Sequence, residues 1–386
     1  MKKKLTQGLM FIGLVISISQ CSEVQPETSL SSTETIINEK KFEPSQNIEF
    51  NGEYLVFRTP ELFDQTLNSI RNTDPHSVRD WSDKLGFTSM RAIYEKAYEE
   101  QEKSINALEA EYKSYPPNDP RLKAPFEQPA FVRENETLFA FNEKGLIAQQ
   151  NVPLYDVTAL INKNGLVKVA GHLFQYNKDN IKIIMGGDES KISMLANVNE
   201  TNKKLKIVVN PITRKWVDQS SSPEGRYLYD WSAKSMEFVG SNVNYTFYYN
   251  MDVQITSRSE PMYDTTPVCE PAGCGEVRTM DCTCYFPIIG YIGFTTFESH
   301  MEVRRKTLGL LDVGYQPSSS TITVDYKIDN GAWSNDHSYT SHNLSNTYIT
   351  LYDGTPMVNF TCGSHDFSAV IPSPAVSTVI NHSWCD

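Results

Sequence analysis

The sequence contains few of the local motifs that mark catalytic sites. Its seven histidines are His76, His172, His300, His337, His342, His365 and His382. No two of them lie four residues apart, as the zinc ligands of helical zinc proteases do. The chain also lacks a Gly-x-Ser-x-Gly elbow and a glycine-rich phosphate loop. These absences weaken the case for an enzyme, although two distant carboxylates, as in glycosidases, would leave no local motif.

Positive charge is scarce. The 386 residues include 35 Lys and Arg against 47 Asp and Glu, for a formal charge of −12. Without Lys2, Lys3 and Lys4 the charge falls to −15. Nucleic acids and anionic lipid surfaces are bound through clustered Lys and Arg. The composition therefore argues against both as the main partner.

Long hydrophobic runs are also missing. The longest apolar stretch near the start is the ten residues from Leu9 to Ile18, whereas a helix that spans a membrane needs about 20. A short apolar run behind three lysines is typical of a secretory signal peptide. We therefore predict a signal peptide over residues 1–20 and a mature protein outside the cytoplasm.

The end of the predicted signal peptide and the residue after it, Ile18-Ser19-Gln20-Cys21, resemble the lipobox of bacterial lipoproteins. The resemblance implies lipidation of Cys21 and attachment to the cell envelope at the outer membrane, facing either the periplasm or the surface. Gln20 departs from the pattern, because Gly, Ala or Ser usually precedes the cysteine. The alternative is ordinary signal-peptidase cleavage near residues 17–19, which leaves Cys21 as a free thiol. Residues 21–45 are polar and predict a flexible tether.

Cysteine is absent between Cys21 and residue 269. The six remaining cysteines are Cys269, Cys274, Cys282, Cys284, Cys362 and Cys385. An even number in an exported chain predicts three disulfides, for which 15 pairings exist. Pairing of Cys362 with Cys385 would attach the chain end to a sheet.

Zinc is the alternative for the last two cysteines. Cys362-x2-His365 and His382-x2-Cys385 could together supply two sulfur and two nitrogen ligands. Thiols of exported proteins are usually oxidised. We therefore predict disulfides, with no metal and no cofactor.

Residues 46–115 predict a hairpin followed by a helical module. Asn51-Gly52 suits a tight turn between short strands. Thr59, Pro60 and Glu61 suit a helix start. A helix ends at Gly86, and a long one begins after Thr88 or Ser89 and continues to about Lys113.

This segment, together with the strand motif 160–169, resembles a group of Bacteroidota lipoproteins that has no established activity. The residues that carry the resemblance are Phe57, Phe63, Trp81, 85–89, Ile93, Tyr94 and the strand motif 160–169. They cover about a third of the chain, and they imply location and architecture only.

The middle of the chain predicts a small β-rich domain. Five prolines between residues 116 and 130 indicate a stiff linker. Residues 131–215 then alternate short apolar runs with turn signals, which predicts antiparallel strands. Asp188 and Glu189 follow two glycines, but two adjacent carboxylates are too few for calcium. A solvated turn is the prediction there.

Residues 216–386 predict a β-sandwich stapled by disulfides. Residues 245–256 alternate strictly between apolar and polar side chains, and 321–328 repeat the pattern. Further strands are predicted at 348–352 and 357–361. Turns about every 8 to 12 residues favour antiparallel packing.

The sequence as a whole predicts an α+β protein: a small N-terminal helical segment, then mostly antiparallel β-structure and the stapled sandwich. Its function class is non-catalytic binding or structure at the cell envelope with an unknown ligand, for which exposed Tyr and Trp could contact a glycan or a protein. The alternative is an exported hydrolase acting on glycan or peptide, and a third reading is an accessory subunit of a larger surface complex. The oligomeric state is left open.

Overall fold

The structure is a computed structural model. It describes residues 47–71, 73, 75–116, 119–123, 126–142, 145–216, 245–270, 283–307, 311–314, 319–328, 333–341, 346–355, 357–358, 360–372 and 375–385. The predicted signal peptide, Cys21 and tether lie outside the described residues.

The predicted hairpin and helices of the first segment are confirmed. The hairpin consists of β1 (Ile48–Phe50) and β2 (Leu55–Phe57). The helices are α1 (Pro60–Arg71), α2 (Pro75–Lys84) and α3 (Met90–Tyr112). A short further helix, α4 (Ala130–Glu134), lies where the sequence predicts only a linker and strands. The caps are also as predicted: the Thr59 hydroxyl accepts from the Leu62 N–H at 3.2 Å, and that of Ser89 accepts from the Ala92 N–H at 3.1 Å.

One six-stranded sheet joins this hairpin to the middle of the chain. Its other strands are β5 (Leu166–Val169), β6 (His172–Tyr176), β7 (Asn180–Ile184) and β8 (Ile207–Pro211), in the order β1-β2-β5-β6-β7-β8. All neighbours are antiparallel except β2 and β5, which are parallel. The alternation pattern does not predict this pair, because it identifies strands but not their neighbours. A division of the chain near residue 115 stays a prediction.

Both faces of this sheet are buried. On one face, Phe57 and Phe174 pack against helices α1 and α2, and the Phe57 and Phe63 rings meet edge to face at 5.2 Å. On the other face, Leu173 and Ile184 pack against the 3-10 segment Glu189–Asn197. Burial on both sides agrees with β7, where four consecutive residues, Ile181–Ile184, are buried.

Helix α3 packs against a separate two-stranded ribbon. The ribbon consists of β3 (Phe139–Phe141) and β4 (Ile147–Gln150). Ile93 and Ala97 of α3 contact Phe139 and Ile147 in a buried cluster. The proline-rich stretch before α4 includes a short 3-10 turn, Pro120–Lys123.

The C-terminal half contains two larger antiparallel sheets. In the first, β10 (Tyr245–Tyr263) pairs with β13 (Ile288–Thr307), and β9 (Thr213–Trp216), β14 (Leu311–Gly314) and β17 (Asn346–Gly354) flank that hairpin. The second contains β15 (Ser319–Ile328), β16 (Trp333–Ser341), β18 (Phe360–Pro372) and β19 (Ala375–Cys385), in the order β16-β15-β18-β19. Two short strands, β11 (Val268–Glu270) and β12 (Thr283–Tyr285), form a ribbon between β10 and β13.

These sheets confirm the predicted antiparallel strands of the C-terminal half. The strand predicted at 245–256 extends to Tyr263. The strand predicted from Met357 begins only at Phe360. Helices and antiparallel strands together give the α+β content that the sequence predicts. Among the described residues, no helix combines the length and apolar character needed to cross a bilayer.

We expect Gly165→Ala to lower the free energy of unfolding by about 2–4 kcal/mol. Gly165 has a φ of +77°, and a Cβ there would lie 2.2 Å from the Tyr176 carbonyl oxygen. The alanine would therefore be strained and would also displace backbone. Urea unfolding followed by circular dichroism measures the change.

Gly86→Ala is the matched control. Gly86 has a similar φ of +70°, but nothing lies within 4 Å of a Cβ built there. This variant should lose only about 1 kcal/mol, the cost of the left-handed backbone alone. Equal losses in the two variants would contradict the role assigned to the contact with Tyr176.

Candidate binding pocket

An open pocket of about 920 Å³ lies at one end of the six-stranded sheet. Four pieces of chain form it: the start of β6, the turn 185–191, the loop 201–206 that leads into β8, and the segment 285–288 that follows β12. Ligand pockets in proteins commonly have volumes of about 300–1,000 Å³. The pocket is therefore large enough for a ligand of more than one ring.

The pocket has an apolar floor and a polar rim. Its apolar lining residues are Met185, Ile207, Val208, Tyr285, Pro287 and Ile288. Its polar lining residues are Asp188, Lys191, Thr201, Asn202, Lys203 and Lys206. An apolar floor with a few polar groups at fixed positions is the usual chemistry of a small-ligand site.

The pocket histidine, His172, is held in a neutral, fully bonded state. The Gly186 N–H donates to Nδ1 at 2.9 Å, so Nε2 carries the proton and donates to the Phe286 carbonyl at 2.7 Å. Burial lowers the pKa of His172, and the bond to Phe286 opposes this only in part. With both ring nitrogens occupied by backbone, His172 positions the pocket walls rather than transferring protons.

A disulfide fixes the wall that carries Tyr285. Cys269 and Cys284 are bonded, and they face each other in the register of β11 and β12, with their Cα atoms 4.0 Å apart. The backbone next to this ribbon rests on the turn between β5 and β6, because the Phe286 N–H donates to the Ala170 carbonyl at 3.0 Å. A Cβ at Gly171 would lie 2.4 Å from the Cβ of Tyr285, so glycine permits this contact.

The loop 201–206, here called the lysine loop, is held by hydrogen bonds to its backbone groups. The Asn202 side-chain oxygen accepts from the N–H groups of Lys204 and Leu205, each at 3.1 Å. The Lys206 carbonyl accepts from the Met185 N–H at 2.9 Å. Lys206 has a φ of +55°, a left-handed conformation that costs a non-glycine residue about 1–2 kcal/mol. The loop is thus held in a strained form beside the pocket.

A second cluster of functional groups lies buried on the β10–β13 sheet. Asp156 accepts from Arg71 Nε at 2.9 Å and from the Thr350 hydroxyl at 2.7 Å. Arg71 also pairs with Asp353. Asp353 in turn accepts from Arg258 Nη2 at 3.1 Å. The result is a continuous chain of two arginines and two aspartates.

These buried charges are mutually compensated. The Arg258 side chain is 4% exposed and that of Asp353 is 7% exposed. Burial alone would raise the pKa of Asp353, but Arg258 and Arg71 more than offset it, so the pKa lies below its ordinary value. Asp353 therefore stays ionised at neutral pH, as its two arginine partners require.

Glu298 is the exception, because none of the cations that the structure describes is bonded to it. Burial raises its pKa to about 8, with a further contribution from the charge of Asp156. One oxygen accepts from the Tyr155 N–H at 3.1 Å, and the other lies 3.3 Å from Gln254 Nε2. Glu298 is thus mostly protonated at neutral pH and is bonded within the protein.

A column of stacked side chains continues this cluster. The Arg91 guanidinium lies 4.1 Å from the centre of the Tyr155 ring. Tyr155 stacks on Tyr348 at 4.2 Å, and Tyr348 stacks on His300 at 4.1 Å. The column joins α3 to β17 and β13, and it packs segment 153–158 between the helical module and the long hairpin.

The structure describes part of the predicted cysteine set. Cys269 and Cys284 form a disulfide, whereas Cys274 and Cys282 lie outside the described residues. In the register of β18 and β19, Cys362 is opposite Cys385. A bond between these two stays a prediction, as does lipidation of Cys21.

The same register bears on the zinc alternative. His365 is opposite His382, three positions from the cysteine pair. This register fixes backbone positions only, so the choice of a disulfide over zinc at these residues stays a prediction. In the part of the chain that the structure describes, no group of three or more His, Cys, Asp or Glu side chains is arranged to hold a metal.

The turn at Asp188 and Glu189 also has protein partners. Asp188 accepts from the Ser190 hydroxyl at 2.6 Å and pairs with Lys191 at 2.9 Å. Glu189 accepts from the Tyr54 hydroxyl at 2.6 Å. Both carboxylates therefore help to fix the turn.

Sequence reasoning missed the pocket lysines and the buried charge network. A signal existed for the lysines, because residues 162–216 contain ten Lys and Arg against four Asp and Glu in an otherwise acidic chain. No comparable signal existed for the network, whose members at 71, 156, 258 and 353 meet only through the fold.

Replacing Glu298 with Gln should remove a pH dependence of stability. The folded state holds the Glu298 proton up to about pH 8, whereas an unfolded glutamate loses it near pH 4.3. Between these values the folded state binds more protons, so wild-type stability falls as pH rises. The difference in the free energy of unfolding between Glu298→Gln and wild type should therefore grow from about pH 5 to pH 8. The growth should be about 1.4 kcal/mol for each pH unit.

Chemical unfolding at several pH values measures this difference. Glu200→Gln, an exposed change, should follow wild type throughout. Parallel pH profiles for wild type and Glu298→Gln would contradict the assignment of a proton to the buried Glu298.

No protein-family model matches the chain, and no curated protein matches it. One solved structure is similar to it, that of a DUF4848 family protein from Bacteroides thetaiotaomicron VPI-5482. The sequences are 11% identical, the match covers 87% of this chain and all of that chain, and the TM-score is 0.27. A likeness of this size carries no argument about fold or ligand, so the resemblance to Bacteroidota lipoproteins stays a prediction.

Proposed function

We propose that the protein is a lipid-anchored component of the cell envelope that binds a glycan without catalysis. Cys21 would carry the anchor, and the pocket beside β6 would hold the ligand. The signal peptide and the lipobox-like ending support the location. The chemistry of the pocket lining supports the binding role.

The pocket lining is the observation that carries the proposal. Sugars present polar hydroxyl edges and apolar ring faces, so their sites combine hydrogen-bonding groups with aromatic surface. Tyr285 supplies an aromatic ring, and Thr201 and Asn202 supply polar groups. His172, the residue of the lining best suited to proton transfer, has both ring nitrogens bonded to backbone.

The proposed architecture of the C-terminal half is a sandwich of its two sheets. Phe297 of the β10–β13 sheet and Tyr326 of β15 are both buried, and their rings meet edge to face at 5.5 Å. Tyr326 also contacts Tyr352 of β17. Ring contacts between strands of two sheets support face-to-face packing.

A second candidate function is hydrolysis of glycan or peptide outside the cytoplasm. One observation favours it: Glu298 has a pKa near 8 and lies close enough to Asp156 and Asp353 to feel their charges. A protonated carboxyl near ionised ones is typical of acid–base catalysis. However, Glu298 is 6% exposed and both of its oxygens face protein groups, which favours a structural role.

The anchor is tested by Cys21→Ala. Wild-type protein expressed in a Gram-negative host should incorporate radiolabelled palmitate and sediment with membranes. The variant should lose the label and move to the soluble fraction, because each buried methylene contributes about 0.8 kcal/mol to membrane binding. Ser22→Ala is the control and should remain labelled. A labelled Cys21→Ala variant, or an unlabelled wild type, would contradict the anchor.

The pocket is tested by filling it. Val208 lines the pocket on β8, so Val208→Trp should obstruct it. The adjacent Val209 is not among the residues that line the pocket, so Val209→Trp adds the same ring outside the lining and serves as the control. Aromatic residues are well tolerated in strands, and melting curves check the fold.

Both variants are compared with wild type on dextran, starch, polygalacturonate, chondroitin sulfate and heparin by affinity electrophoresis. Wild type and Val209→Trp should bind at least one polysaccharide, and Val208→Trp should bind it at least about tenfold more weakly, a difference of about 1.4 kcal/mol. The glycan-binding role is wrong if wild type binds none of the five, or if the three proteins bind equally.

A further inference from the structure

Most of the pocket lining comes from a basic segment of an acidic chain. The whole chain has a formal charge of −12, yet residues 162–216 have six more basic than acidic residues. This segment contains β5 to β9 and the lysine loop. A local field of opposite sign to the net charge concentrates anions at one place on the surface.

Two lysines at the pocket rim are available for a ligand. Lys203 and Lys206 are exposed and line the pocket. In the described part of the chain, neither ammonium group has a carboxylate within ion-pair distance. The third rim lysine, Lys191, is paired with Asp188 at 2.9 Å.

Two acidic groups near the rim already have partners. Asp188 is bonded to Ser190 and Lys191. Glu189 accepts from Tyr54 and lies 3.4 Å from Lys168. The rim therefore presents the positive charge of Lys203 and Lys206 with little local opposition.

Hydrogen bonds fix the backbone positions of Lys203 and Lys206. They begin and end a tight turn whose N–H groups are bonded to Asn202, and the Lys206 carbonyl is bonded to Met185 in the pocket floor. The left-handed φ of Lys206 is unusual for a residue with a long side chain. An arrangement that holds two cations beside an apolar floor suits a ligand with an anionic group next to a ring face.

We infer that the pocket takes an acidic carbohydrate, with its carboxylate or sulfate held by Lys203 and Lys206 and a sugar ring against Tyr285. The inference rests on the proposed glycan-binding function and adds the charge of the ligand. Carboxylate and sulfate share the chemistry that the lysines recognise, so both belong to the expected class.

The test uses the full-length protein in non-ionic detergent and the double variant Lys203→Gln/Lys206→Gln. The matched control is Lys163→Gln/Lys178→Gln. It removes the same charge from two exposed lysines in the turns at the opposite end of β6 from His172. Affinities are measured for polygalacturonate, heparin, neutral dextran and polyglutamate, the last as a polyanion without sugar rings.

Wild type and control should bind polygalacturonate, heparin or both. The rim variant should bind at least about tenfold more weakly. Dextran and polyglutamate should bind weakly to all three proteins. Raising the salt concentration from about 50 mM to about 500 mM should weaken wild-type binding, because exposed charges are screened.

Three results would overturn the inference. If dextran binds wild type as well as the acidic polymers do, and Val208→Trp abolishes that binding, the pocket binds glycan but does not select charge. If polyglutamate binds as tightly as the acidic polysaccharides, the site recognises charge without carbohydrate. If the rim variant and its control lose the same affinity, the effect comes from net charge rather than from the rim. The first of these leaves the proposed function intact.

Discussion

Four charged side chains, buried or mostly buried, connect the two halves of this protein. Arg71 ends the first helix, Asp156 lies in the segment after β4, and Arg258 and Asp353 lie on β10 and β17; they form one connected chain of ion pairs. A buried pair contributes little relative to apolar packing, but loss of one partner leaves a buried charge and costs about 3–5 kcal/mol. The network therefore acts mainly to specify how the helical module and the long hairpin fit together.

The candidate pocket depends on the same network, although it lies apart from it. Its floor and rim come from β6, the turn at 185–191 and the loop 201–206, while its remaining wall comes from the segment after the disulfide-bonded ribbon. That ribbon is an insertion between β10 and β13. Because the network and the stacked column around Tyr155 fix β10 and β13 against the first half of the chain, they also fix where Tyr285 meets His172.

The buried charged groups and the lysines beside the candidate pocket differ in their surroundings. Acidic residues outnumber basic ones over the chain, and the carboxylates of Asp156 and Asp353 are matched by arginine and hydroxyl groups. Lys203 and Lys206 differ because they are exposed and held by backbone bonds at the edge of a cavity. Buried charges with full sets of partners are expected in a scaffold, whereas exposed like charges fixed beside an apolar floor are expected at a ligand site.

The sequence alone determined the local structure of this protein. Thr59 and Ser89 mark helix starts, the alternation from 245 marks the long strand, and the run at 9–18 before Cys21 predicts export, because caps, strand periodicity and signal peptides are all encoded within a few neighbouring residues. Only the tertiary structure decided the parallel pairing of β2 with β5, the bond between Cys269 and Cys284, and the meeting of Arg71 with Asp353. Each of these joins residues far apart in the chain, and neither propensity nor periodicity carries information about such partners. The pocket belongs to this second group, since Lys206, His172 and Tyr285 come together only when separate strands are packed.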